Sequence, residues 1–132
     1  MFHPFVLTTA LALWAAPVAN LAPEALVQKQ VEAYNAHDLD AFVACYAPNI
    51  EFRTMDGGVG PERGLAALRK GYGELFKRFP ALKVKILKRI VQGAFVIDQE
   101  QAEGMGPNPV TVTAIYQIED GKIARVWFIE GV

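Results

Sequence analysis

The apolar periodicity of this chain passes from mainly helical spacing to a sustained period of two at Pro80, and that change limits what the chain can fold into. Before it, apolar side chains recur at helical spacing. Pro23 and Glu24 mark a helix start, with proline early and an acid in the first turn. Val27, Val31 and Tyr34 follow at that spacing, and the helix is expected to end near Asn35-Ala36-His37. Asp38 can cap a short second helix carrying Leu39, Phe42, Val43 and Tyr46, which stops before Pro48. Ile50 to Thr54 reads as a short strand, and Asp56-Gly57-Gly58 and Gly60-Pro61 break the pattern. A third helix places Leu65, Leu68, Tyr72, Leu75, Phe76 and Phe79 on one stripe. Gly71 and Gly73 weaken it by ~1 kcal/mol each relative to Ala.

After Pro80 the period is two. Leu82, Val84 and Ile86 alternate with Lys83 and Lys85, and a slip near Leu87 predicts a bulge. A turn at Gln92-Gly93 leads into a strand over 94–103, and a Gly/Pro-rich loop spans 104–109. Val110 to Ile118 and Lys122 to Glu130 form a hairpin around Asp120-Gly121, since Gly accepts the positive φ of a tight turn. Helices followed by antiparallel strands give an α+β domain, and the helices must cover one face of the sheet. Three helices against a curved sheet leave a conical hollow suited to a small, mainly apolar ligand.

Composition narrows the function classes. At 132 residues and 52% hydrophobic, the chain makes one domain with a substantial core. A net charge of −1 gives no phosphate footprint, so no nucleic-acid partner is expected. Cys45 stands alone, which precludes an intrachain disulfide; with only His3 and His37 beside it, no metal site is expected, nor any cofactor.

Residues 1–22 form a segment apart from the domain over 23–132. The apolar run from Phe5 to Ala16 is too short for a bilayer, which needs ~20 residues, so no stable membrane insertion is expected. Its length suits a secretory signal, with small residues following. Against that, no Lys or Arg precedes Lys29, and Pro17 fits poorly before a cut after Ala19. The other readings are an over-long start or a helix lying on the domain. Cleavage implies a periplasmic or secreted protein; retention implies a cytoplasmic one.

The stretch Gln30-Val31-Glu32-Ala33-Tyr34-Asn35-Ala36-His37-Asp38-Leu39-Asp40-Ala41-Phe42 resembles the opening of SnoaL-like and ketosteroid-isomerase-like proteins of the nuclear transport factor 2-like superfamily. The likeness continues through Cys45-Tyr46-Ala47-Pro48-Asn49-Ile50-Glu51-Phe52, through Arg63-Gly64, and along 114–128. It implies the cone-shaped fold called NTF2-like or cystatin-like, with helices on a curved, mainly antiparallel sheet. For function it implies a range, because one fold hosts isomerases, cyclases, dehydratases and binding modules. Steroid isomerases of this kind use a carboxylate base with a tyrosine and a protonated acid on the oxyanion. Gln30 matches the tyrosine position and Ala114 the acid. The base falls at Thr54 ungapped or at Asp56 with a shift of two, and Tyr72 matches the supporting tyrosine. Steroid isomerisation in its known form is therefore not expected.

Asp56 is the candidate catalytic base, flanked by glycines at the expected mouth; the competing reading is an Asp that only shapes a turn. Tyr34 and Tyr72 either point into the hollow or pack as core aromatics. Gln30, Phe52, Ala114, Tyr116 and Phe128 join them as pocket residues by the resemblance. So does Gln99, with Gln101, leaving Asp98 and Glu100 on the opposite face; the alternative is a half-exposed strand end. Glu130 shares the inward parity of Phe128 or lies beyond the rim. His37 is either a proton shuttle or a structural turn residue. Lys83, Lys85, Lys88 and Arg89 read as a solvated strand face. Ile123, Arg125, Trp127 and Ile129 face outward beside Ile115, where the resemblance implies a homodimer; cover by the N-terminal segment is the alternative. The sequence thus supports a cofactor-free isomerase, cyclase or dehydratase, a non-catalytic module binding a small apolar molecule, or a dimerisation domain with a vestigial pocket.

Overall fold

A computed structural model describes residues 21–55 and 59–130, with backbone alone for 59–62. Residues 1–20 and Asp56 lie outside the described residues, so all but the last two residues of the expected N-terminal segment 1–22, and the expected base, do too. The elements are α1 (Pro23–Asn35), α2 (Leu39–Val43), β1 (Tyr46–Thr54), β2 (Val59–Arg63), α3 (Gly64–Arg78), β3 (Lys83–Gln92), β4 (Phe95–Glu103), β5 (Val110–Glu119) and β6 (Lys122–Glu130). The strands form one sheet in the order β2-β1-β6-β5-β4-β3, curved and covered by the helices. Neighbours run antiparallel except β1 and β6, which are parallel.

Local chemistry explains most boundaries. Pro23 stands at the start of α1, and the Asp38 side chain accepts from the Ala41 amide at 3.1 Å to cap α2. Asp120 (φ 50°) and Gly121 (φ 71°) make the tight turn between β5 and β6. Two boundaries differ from the reading of the sequence. Tyr46 opens β1 rather than closing α2, and β1 runs through Pro48 with its pairing to β6 shifting between Tyr46 and Glu51, so Pro48 breaks no ladder. Residues 59–63, expected as a break, form the short strand β2 beside β1.

The expected bulge in β3 falls between Ile86 and Lys88, and it reverses the parity of the residues after it. Arg89 turns from the expected basic row to the concave face, directly opposite Asp98. A second shift lies between Gln117 and Ile118. It draws Ile123, expected outside, into the core at 0% exposure, where its amide donates to the Cys45 carbonyl at 2.9 Å. The core lies between α1, α2, α3 and the concave sheet face, around Leu26, Phe42, Ile50, Leu68, Val96 and Val126.

His37 is a structural pin. It occupies a positive φ of 53° in the turn after α1. Its ring stacks on Phe76 with centroids 4.5 Å apart, and Nε2 lies 2.7 Å from the Leu82 carbonyl. Beside it, the Asn35 amide bonds both the amide and the carbonyl of Val84, supplying the free edge of β3 with partners.

Candidate functional site

The helices and the concave sheet face enclose a cavity of about 300 Å³. Gln30, Val31 and Tyr34 of α1 form one wall, Tyr72 and Leu75 of α3 another. Tyr46, Val84, Glu100, Ala102, Val112, Tyr116 and Phe128 complete it from the sheet, with Glu130 and Met105 also on its lining. Gly104, at φ +96°, lies so close to the Ala81 backbone that a Cβ would collide with it, and this contact sets the loop bearing Met105.

Glu100 is the polar centre of this apolar space. It is 9% exposed, and Tyr116 donates its hydroxyl to Oε1 at 2.7 Å. Burial pushes the Glu100 carboxyl up to about 7; the Asp98 charge adds to this, while the Tyr116 bond and Arg89 pull the other way. Asp98, two residues back on the same face, is treated differently. At 0% exposure it receives Arg89 Nε on Oδ1 at 2.7 Å and Nη2 on Oδ2 at 2.8 Å, a fork-to-fork pair. Arg89 Nη1 also reaches Gln28 at 2.9 Å. One buried acid thus has a cation, and the other has only a neutral phenol. Burial without a direct cationic partner is what raises the Glu100 carboxyl.

The surrounding phenols stay protonated. Burial, then the Glu100 charge, pushes Tyr34 up to about 12. Tyr116 and Tyr46 are raised well above the usual phenol value, burial being the largest cause for both, while a bond from Gln30 pulls Tyr46 the other way. Tyr34 packs edge-on against Phe76 and Tyr72, at 5.3 and 6.1 Å between centroids. Gln30 is 5% exposed, and its Oε1 has no hydrogen-bond partner.

The raised carboxyl sets the pH dependence of stability. Glu100 binds its proton more tightly folded (about 7) than at its ordinary value of 4.5. Its contribution is therefore fully present below pH 4.5 and is lost as pH rises through about 7. The expected loss is about 3 kcal/mol by pH 8, at 1.36 kcal/mol per unit. Urea denaturation from pH 5 to 8 measures it, and Glu100→Gln is expected to abolish this component.

Of the residues expected at the pocket, Gln30, Tyr34, Tyr72, Tyr116 and Phe128 line the cavity. Phe52 stacks against Phe128 at 5.8 Å and opens on an adjoining cleft with Arg53, Thr54 and Glu130. Ala114 is fully buried in the core, its short side chain stopping short of the cavity. Gln99 is exposed on the convex face opposite Thr113. The expected parity of β4 is thus reversed: Asp98 and Glu100 turn in, Gln99 turns out, and Gln101 is half-buried without lining the cavity. The fully buried Val96 sets this phase, and Arg89 and Tyr116 supply the partners that make two buried acids tolerable. Arg125, Trp127 and Ile129 lie on the convex face, with Ile129 42% exposed. Among the described residues no group of three His, Cys, Asp or Glu side chains could hold a metal, and no helix is long and apolar enough to cross a membrane.

The profile of the SnoaL-like domain matches residues 27–126, which takes in every lining residue of the cavity except Phe128 and Glu130. The chain belongs to the SnoaL-like family. No curated protein matches it in sequence. An uncharacterised cystatin-fold protein from Novosphingobium aromaticivorans is 25% identical with a TM-score of 0.77, over 84% of this chain and 100% of that one. A candidate polyketide cyclase from Sinorhizobium meliloti is 24% identical with a TM-score of 0.69, over 85% of this chain and 98% of the other. A candidate ketosteroid isomerase from Kribbella flavida shares 15% identity at a TM-score of 0.71, over 83% and 78%. These likenesses establish the NTF2-like fold of this SnoaL-like chain.

Proposed function

We propose that this SnoaL-like domain binds a small, mainly apolar carbonyl or hydroxyl compound in the cavity, and that Glu100 moves a proton on it without a cofactor. The observation that carries the reading is a buried carboxyl on the cavity wall, held by Tyr116, whose burial pushes its pKa up to about 7. A group that ionises near the working pH serves as both base and acid. Glu100 takes a proton from carbon next to a carbonyl, and Tyr34, whose phenol keeps its proton, donates to the developing oxygen charge. With a conjugated enolate, return of the proton from Glu100 to the distal carbon is isomerisation; with a β-hydroxyl, the C–O bond breaks and the hydroxyl leaves as water with that proton, which is dehydration. The fold shared with a candidate isomerase and a candidate cyclase suits such chemistry. Asp56 remains a proposed second carboxylate at the mouth.

Deuterium incorporation from D₂O into a panel of small cyclic ketones and β-hydroxyketones tests this. Wild type and Asp56→Asn are expected to exchange, and Glu100→Gln is not. Exchange by Glu100→Gln at the wild-type rate overturns the assignment, and loss confined to Asp56→Asn gives the base role to Asp56. Binding of panel compounds without exchange by any of the three proteins makes the domain a binding module.

We also propose a homodimer through the convex sheet face. Strand register aligns Ile90, Ile97, Ile115 and Trp127 in one row across β3, β4, β5 and β6. Ile90 is 59% exposed and Phe95 37%. The ion pairs Glu51–Arg53 and Glu119–Arg125 bring both charge signs to β1 and to the β5–β6 end, a pattern that two copies about a twofold axis can match. Light scattering is expected to give a dimer mass. Trp127→Ala is expected to weaken it by about 30-fold, the effect of a ~2 kcal/mol hot spot. A wild-type protein that stays monomeric at high concentration contradicts this.

A further inference from the structure

We infer that the ligand presents a hydrogen-bond donor, an O–H or N–H on a small apolar body, to the unpartnered carbonyl of Gln30 and to Glu100. The inference rests on the reading that this cavity is the binding site, and it narrows carbonyl-or-hydroxyl to donor-bearing compounds. Gln30 sits on the buried face of α1 between Val27 and Val31, where a leucine would pack without polar cost. Its side chain lies within hydrogen-bond reach of the Tyr46 phenol. Its Oε1 is the only buried side-chain N or O atom without a partner among the described residues. Buried acceptors are normally satisfied, and leaving one empty destabilises the fold. Gln30 lines the cavity, which is where a partner can arrive.

Two carboxylates add further acceptors to the lining. Glu100 Oε1 already accepts from the Tyr116 hydroxyl, which leaves the second carboxylate oxygen for a ligand, and Glu130 adds another carboxylate. None of the described lining residues is Lys, Arg or His. Of the four lining tyrosines, Tyr116 has committed its hydroxyl to Glu100, while Tyr34 keeps its proton for a ligand acceptor. Among the described residues the unmet requirement is that of Gln30 Oε1, and it is for a donor. By the resemblance, the α1 position of Gln30 would carry a donor to a ligand oxygen; here it offers an acceptor, so the polarity of the contact is inverted. A site with a buried acceptor discriminates against a ligand lacking the matching donor, because binding then leaves the acceptor unpaired.

Three probes of one shape test this by calorimetric titration of the full chain: cyclohexanol, cyclohexylamine and cyclohexanone. The alcohol or the amine is expected to bind about tenfold or more tighter than the ketone, one hydrogen bond's worth. Whichever of the two is tighter identifies the donor as hydroxyl or ammonium. A ketone that binds as tightly as both overturns the inference and leaves the proposed function standing; binding by none of the three overturns both. The double variant Gln30→Met/Tyr46→Phe removes the acceptor together with the phenol that Gln30 serves. Its donor-to-ketone ratio is expected to fall to about one, with Tm undiminished because both partners leave together. A ratio that survives in the double variant, or a lowered Tm with the ratio intact, overturns the inference.

Discussion

Glu100→Gln is expected to remove about two to four orders of magnitude of proton-transfer rate, the usual contribution of a positioned general base. The substitution is close to isosteric. Its amide oxygen can still accept from the Tyr116 hydroxyl, which now lies 2.7 Å from Glu100 Oε1. What disappears is a basic group in an apolar wall. The cavity keeps its shape, so apparent ligand affinity is expected to change far less than turnover, and single-turnover exchange separates the two. The pH dependence gives a second check. Wild-type exchange is expected to rise with pH and level off above about 7, where the carboxylate form dominates. A profile that levels off near the ordinary value of 4.5 shows a base other than the buried Glu100.

Arg89→Met is expected to have the largest effect on stability, about 3–5 kcal/mol, because it strands the Asp98 charge inside the domain. Both carboxylate oxygens of Asp98, itself 0% exposed, rely on the guanidinium at 2.7 and 2.8 Å. Such a loss is a large part of the ~5–15 kcal/mol that holds a domain of this size. Replacing both members by apolar residues, Arg89→Met with Asp98→Leu, removes the stranded charge and is expected to recover most of that loss. Urea denaturation of the two single variants and the double variant measures the coupling. Equal losses in single and double variants contradict the account. The pair also tempers Glu100, since Arg89 lowers its pKa and Asp98 raises it.

The sequence made the helical half and the last hairpin legible because local chemistry decides them. Pro23, the Asp38 cap, the Leu87 bulge and Asp120-Gly121 act within a few residues of themselves, and the structure places each where its chemistry indicates. The family resemblance added the fold. The phase of β4 depended on other strands. Asp98-Gln99-Glu100-Gln101 is polar at every position, so alternation carries no signal there. The decision falls to Val96 in the core and to Arg89, itself turned inward by the bulge. The slip near Leu87 carried the clue: counted through to Arg89, it sets a cation opposite Asp98 and turns Glu100 inward with it. Tyr46 was missed in the same way, because a Tyr two residues before Pro48 reads as a helix end until its pairing with β6 is known. Ile123 was misplaced by the irregular pairing between Gln117 and Ile118, which no local pattern announces.

The most direct test is a carbon-13 NMR titration of the glutamate side-chain carboxyls, with the Glu100 resonance assigned by its absence in Glu100→Gln. The account requires that resonance to titrate at about 7. A Glu100 resonance that titrates at the ordinary 4.5 would mean that the carboxyl is solvated, and the case for a buried proton carrier in this cavity would fail.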